Sequence, residues 1–100
     1  MTPDEVAEFL VTLPGCKRKG TSAVPAWYVD NRIVARLIAS DELMIRCAFD
    51  VRERLVTDHP DTFGVPPSYD AHMKVQAMLY GDSGAIQHAL RQAWEMQRSS

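Results

Sequence analysis

Cys16-Lys17-Arg18-Lys19 is the densest run of reactive and charged groups in the chain, bracketed by Gly15 and Gly20. A thiol beside three cations has the electrostatics of a lowered pKa, because nearby positive charge favours the thiolate. A nucleophilic cysteine also needs a positioned base, normally histidine. His59, His72 and His88 all stand far along the chain from Cys16, and spacing alone brings none of them to it. The cations have a second possible chemistry as a phosphate anchor, and Trp27 follows within a few residues. Gly20-Thr21-Ser22 adds backbone donors and conformational freedom. Residues 15–27 therefore read as a flexible basic loop that feeds a strand.

Other catalytic and ligating patterns are missing from the sequence. The three histidines and two cysteines show no CxxC, HxH or HExxH spacing, so neither a metal nor another cofactor is expected. No glycine-rich phosphate loop, GxSxG elbow or paired-carboxylate motif is present. These absences leave no catalytic site to propose, and a non-enzymatic binding domain is the first expectation, with a small-ligand or thiol site at Cys16 as a further alternative. Cys16 and Cys47 form no disulfide framework, and neither a secretory leader nor a long apolar run is found. A cytoplasmic protein without a membrane segment is the expectation.

The 100 residues suit one domain, and 46% hydrophobic with 24% charged residues exclude a disordered chain. Eleven lysines and arginines against thirteen acids give a formal net charge of -2. Sequence-independent DNA affinity comes mainly from phosphate neutralisation. A nucleic-acid role therefore requires the basic residues to gather on one face.

The elements that could gather them follow from local signals. Thr2-Pro3-Asp4-Glu5 combines an N-cap, a proline at the first helical position and a capping-box glutamate. Val6, Phe9, Leu10 and Leu13 then mark a helix that Pro14-Gly15 ends. Strands are expected over 26–29, 32–39 and 43–49, with turns at Asp30-Asn31 and at 40–42. A second helix is expected from Asp50, with Glu53 completing its capping box, to His59-Pro60. A loop over 61–72 contains a short edge strand at 62–65, and a further strand covers 73–80. Ser83 caps a last helix with the core stripe Ile86, Leu90, Ala93 and Trp94. The order α-β-β-β-α-β-α predicts an α+β fold, an antiparallel sheet with its helices on one face. The domain covers 1–97, and 98–100 form a frayed tail.

Strand alternation then sorts the side chains. Ile33, Ala35 and Leu37 face the helices, opposed by Arg32, Val34 and Arg36. Leu43, Ile45 and Cys47 oppose Met44, Arg46 and Ala48, while Val75 and Ala77 oppose Lys74, Gln76 and Met78. Every charge inside these three strands is then basic. A two-residue turn at Asp30-Asn31 pairs Val29 with Arg32 and Trp27 with Val34, which brings Trp27 onto the basic face. Pairing Leu37 with Ile45 sets Arg36 opposite Arg46, a like-charge contact that an anion would relieve. An indole among guanidiniums suits base stacking. The competing reading is that these side chains keep an exposed sheet soluble, or that Val34, Met44 and Met78 form a homodimer or other protein interface.

The chain also resembles the MmcQ/YjbR family of small bacterial proteins. The resemblance is carried by Leu13-Pro14-Gly15, Thr21-Ser22, Pro25-Ala26-Trp27 and Val29, then Ala35-Arg36-Leu37. It continues through Asp50, Arg52, Glu53, Leu55, Pro60, Thr62, Phe63, Val65-Pro66-Pro67 and Tyr69 to Leu90, Ala93 and Trp94. It implies a double-wing α+β domain and DNA as the partner, without catalytic residues to carry over. Residues 71–75 depart from it, lacking the proline or aromatic expected in that stretch, and Lys74 stands in that region. The expected interface is Trp27, Arg32, Arg36, Arg46 and Lys74, with Lys17, Arg18 and Lys19 at its margin, on a monomer or weak homodimer.

Overall fold

A computed structural model describes residues 1–98. The expected capping box forms at the first helix, α1 (Pro3–Val11). Glu5 N–H donates to Thr2 Oγ1 at 3.1 Å, and Thr2 N–H donates to Glu5 Oε1 at 2.8 Å. These bonds hold the Glu5 carboxyl below its ordinary pKa. Val6 and Leu10 are fully buried, so the face set by their spacing packs on the sheet.

Among the described residues the sheet has six antiparallel strands rather than the four or five expected. They are β1 (Lys17–Gly20), β2 (Pro25–Val29), β3 (Arg32–Ala39), β4 (Glu42–Arg46), β5 (Phe63–Gly64) and β6 (Lys74–Met78), arranged β1-β2-β3-β4-β6-β5. The basic stretch is thus an edge strand, not a loop: Lys17, Arg18 and Lys19 pair with Tyr28, Trp27 and Ala26. Edge lysines of this kind discourage further strand pairing. Gly20 ends β1 at φ +85, where a Cβ would lie 2.6 Å from Val24 O. Asp30 and Asn31 both adopt positive φ, 50 and 63, and close the β2–β3 hairpin with Val29 opposite Arg32. That is the backbone a tight two-residue hairpin requires.

Helix α2 (Phe49–Asp58) starts earlier than its sequence suggests. Cys47 N–H still donates to Met73 O at 3.0 Å, and the chain then turns at Ala48, the N-cap, which makes no side-chain cap bond. Asp50 instead lies in the first turn and pairs with Arg54 at 3.4 Å. Helix α3 (Ser83–Gln97) is capped by Asp82 rather than Ser83; Asp82 Oδ1 accepts from Ala85 N–H at 2.9 Å. All three helices bury their apolar stripes against Trp27, Ala35, Leu37, Leu43, Ile45, Val75 and Ala77. The fold is α+β, with the helices on one side of an open sheet. Among the described residues, no helix is long and apolar enough to cross a membrane.

Two ties close the structure. Trp94 Nε1–H donates to Pro14 O at 2.8 Å, joining α3 to the end of α1's connection. Arg98, expected in the frayed tail, lies 4.3 Å from the Trp94 ring centroid and its N–H donates to Trp94 O. The remainder of that tail, 99–100, lies outside the described residues.

Arg52 makes the most unusual tertiary contact. It projects from α2 at 6% exposure, and its guanidinium donates to the carbonyls of Tyr69, Asp70, His72 and Lys74 at 3.0, 3.1, 2.8 and 3.4 Å. It thereby joins the 3-10 turn Pro67–Tyr69 to the start of β6. Replacing it by alanine leaves buried acceptors unpaired. Arg52→Ala is expected to lose about 3 kcal/mol in urea unfolding and to speed amide exchange over 69–74; a change under about 0.5 kcal/mol would refute the clamp. Gly81 has a second steric requirement, since a Cβ there would lie 2.3 Å from Thr62 Oγ1, which accepts from Asp82 N–H. Gly81→Ala is expected to cost about 1–3 kcal/mol by overpacking, read from the same unfolding curve.

Candidate nucleic-acid interface

The sheet face away from the helices is defined by register, because directly paired residues project to the same side. One cross-strand row runs Lys19, Ala26, Arg36, Met44, Gln76 and Gly64. Lys17, Tyr28 and Ile33 are paired on the same side in β1–β3, and Arg46 opposite Lys74 falls on the side of Met44 and Gln76 in the β4–β6 ladder. Five of the seven expected cations therefore share the open face: Lys17, Lys19, Arg36, Arg46 and Lys74. Met44, set between Arg36 and Gln76, is only 6% exposed.

Trp27 does not belong to this face. Its side chain is 1% exposed and sits in the core. The expected pairing with Val34 fails because β3 carries one extra residue there: Trp27 pairs with Ala35, and Tyr28 with Ile33. Val34, left without a direct partner, is fully buried in the core cluster. The irregularity reverses the alternation beyond it, as any one-residue slip does. Ile33 joins Tyr28 on the open side, and Arg32 joins Val29 on the helix side, exposed at the hairpin end. Arg18 pairs with Trp27 and likewise falls on the helix side of the edge strand.

The expected contact of Arg36 with Arg46 is also replaced. Leu37 pairs with Leu43 rather than Ile45, so Arg36 faces Met44 and Arg46 faces Lys74. The like-charge pair exists, one strand further across the sheet. Arg46 Nε is buried without a hydrogen-bond partner. The face also carries one acid that had been assigned to a turn: Glu42 begins β4 opposite Met78. It lies at the opposite end of the β4–β6 ladder from Arg46 and Lys74.

Two aromatics border the cations, neither of them identified from sequence. Lys19 Nζ lies 5.0 Å from the Tyr28 ring centroid and donates to Asn31 Oδ1 at 3.3 Å. A depression of about 300 Å³ opens there, lined by Gly15, Lys17, Lys19, Tyr28, Asp30 and Asn31. At the other end of the cation row, Lys74 Nζ lies 4.6 Å from the Tyr69 centroid. Burial, and secondarily Glu42, raises the Tyr69 phenol pKa. Tyr28 carried a usable signal, since it alternates with the buried Trp27. Tyr69 carried none, because only the Arg52 clamp brings its turn to β6.

The remaining candidate chemistry is weaker. Cys16 is partly buried, and desolvation pushes its thiol above the ordinary value of 9.0. The lowered pKa expected from its basic neighbours is not found, because those side chains lie along an exposed strand while the thiol packs toward the core. Cys47 is buried and its thiol is pushed up to about 11 by desolvation, against smaller opposing effects of Arg52 and Arg46. His59 and His88 line one depression of about 320 Å³ between α2 and α3, with Arg54, Asp58 and Gln92. Among the described residues, no group of three or more His, Cys, Asp or Glu side chains could hold a metal ion. Comparison with family models, curated proteins and solved structures yields no match for this chain.

The thiol geometry has a direct readout. With its pKa raised, Cys16 is protonated at neutral pH, so iodoacetamide labelling is expected to be slow at pH 7. The rate should rise about tenfold per pH unit toward and beyond pH 9, as the thiolate forms. A rate already level at pH 7 would mean an activated thiolate.

Proposed function

We propose that the protein is a non-enzymatic, cytoplasmic DNA-binding domain that docks the phosphate backbone on its open sheet face. The observation that carries this reading is Arg46 directly opposite Lys74, with Arg36, Lys17 and Lys19 on the same face. Like charges paired across a ladder are unfavourable in the free protein, and a phosphate between them removes that repulsion while accepting charge-assisted hydrogen bonds. The net charge of -2 does not oppose the reading, because Glu42 is the one acid assigned to the ladder rows of this face.

Phosphate contacts position a ligand without reading its sequence. Trp27 is too deeply buried to wedge between bases, so sequence preference is expected to be slight. The MmcQ/YjbR resemblance supports the same reading. Self-association through this face is the poorer alternative, because two copies brought face to face would oppose their own cations.

Fluorescence anisotropy with labelled DNA is the test. Binding should weaken steeply with added salt, with a slope of log K on log salt near -3 to -4 if about four phosphates are neutralised. Arg36→Glu and Lys74→Glu should each reduce affinity about tenfold or more at low salt, while Arg32→Glu on the other side should have little effect. Absence of binding at low salt, or equal losses from all three variants, would overturn the proposal.

A further inference from the structure

We infer that the form of nucleic acid this face takes is single-stranded, laid across the strands from β1 to β6 with bases stacked on Tyr28 and Tyr69. This rests on the DNA-binding reading above and adds the form of the ligand to it. Both tyrosines are half-buried at their bases and border the face at opposite ends of the cation row. Each ring has an ammonium over it, Lys19 at Tyr28 and Lys74 at Tyr69. A base arriving on either ring displaces that ammonium, which remains within reach of the phosphate of the same nucleotide. The cation–π contact is exchanged for base stacking and a charge-assisted phosphate contact.

The geometry favours a single strand over a duplex for two reasons. Stacking on a tyrosine needs an unpaired base with a free π-face, which a duplex interior does not offer. All three helices pack on the other side of the sheet, so none projects from this face to enter a major groove. What remains is a flat basic platform with an aromatic at each end. Four strand spacings of about 4.8 Å separate β1 from β6, roughly 19 Å in all, room for on the order of four nucleotides.

The path across the platform is also defined. Lys17 pairs with Tyr28 on the β1 side of the face and Arg46 with Lys74 on the β6 side, whereas Glu42 stands at the far end of β4. The depression beside Tyr28, about 300 Å³, receives the first base; that volume is at the small end for ligand sites.

The experiment compares a labelled oligothymidylate with a mixed-sequence duplex of equal length, by anisotropy at low salt. The proteins are the wild type, Tyr28→Ala, Tyr69→Ala, Tyr28→Phe and Arg36→Glu, each checked for folding by thermal melting. The oligothymidylate should bind about tenfold or more tightly than the duplex. Each alanine variant should lose about tenfold, and Tyr28→Phe, which keeps the ring, should stay within about twofold of wild type. Duplex binding equal to or tighter than single-strand binding, with Arg36→Glu still harmful, would overturn this inference while leaving the DNA-binding reading intact. Folded alanine variants that bind the oligothymidylate like wild type would do the same. If neither oligonucleotide binds the wild type, both readings fall.

Discussion

The guanidinium of Arg52 is the contact on which the rest of the platform depends. A buried cation is normally matched by a carboxylate; here the matching groups are four backbone carbonyls in one short segment. Carbonyl dipoles can satisfy a guanidinium if enough of them converge, and its planar fork reaches several at once. The chain between Tyr69 and Lys74 is therefore folded around a side chain from α2. That one arrangement fixes the start of β6, and with it the position of Lys74 opposite Arg46. It also sets the Tyr69 ring beside the Lys74 ammonium. Phe49, one turn earlier in α2, covers the guanidinium from its other side at 4.9 Å.

The helix side and the open side of the sheet obey different constraints. On the helix side, burial selects shape: Trp27, Leu43, Ile45 and Val75 are essentially inaccessible and packed against Ile86 and Leu90. On the open side, the constraint is charge. Alternation supplies a position for each cation, leaving Lys17, Lys19 and Arg36 exposed and Arg46 and Lys74 half-buried. Ala26 and Met44, set among the cations, are nonetheless buried. A surface of this kind is soluble in its own right and also predisposed to hold a polyanion, because several like charges are held near one another by the ladder.

Legibility from sequence followed the range of the forces involved. The capping box at Thr2 and Glu5 is made within four residues, and it forms as written. Alternation in β4 and β6 also depends on no distant partner, and it correctly placed Arg46 and Lys74 on one face. Failure came where one strand had to be aligned against another. The extra residue at Val34 could not be anticipated from local propensity, since Val34 suits a strand in either orientation. Its consequence was large: Trp27, Arg32 and Arg18 left the expected face, and Tyr28 took the place of Trp27 as its aromatic. The edge strand β1 was missed for the opposite reason. Lys17-Arg18-Lys19 has poor strand propensity, and pairing with β2 overrides it.

By itself, then, the amino-acid order determined the class of fold, the first helix and its cap, the hairpin at Asp30-Asn31 and the sidedness of β4 and β6. Each of these is set by neighbours a few residues apart, through capping, turn conformation or the two-residue period of a strand. Only the tertiary structure decided the registers, the burial of Trp27, the apposition of Arg46 with Lys74 and the wrapping of 69–74 around Arg52. Those features require surfaces from distant parts of the chain to be fitted together. Core packing against the helices selects that fit, and its cost or gain is not written in any local stretch.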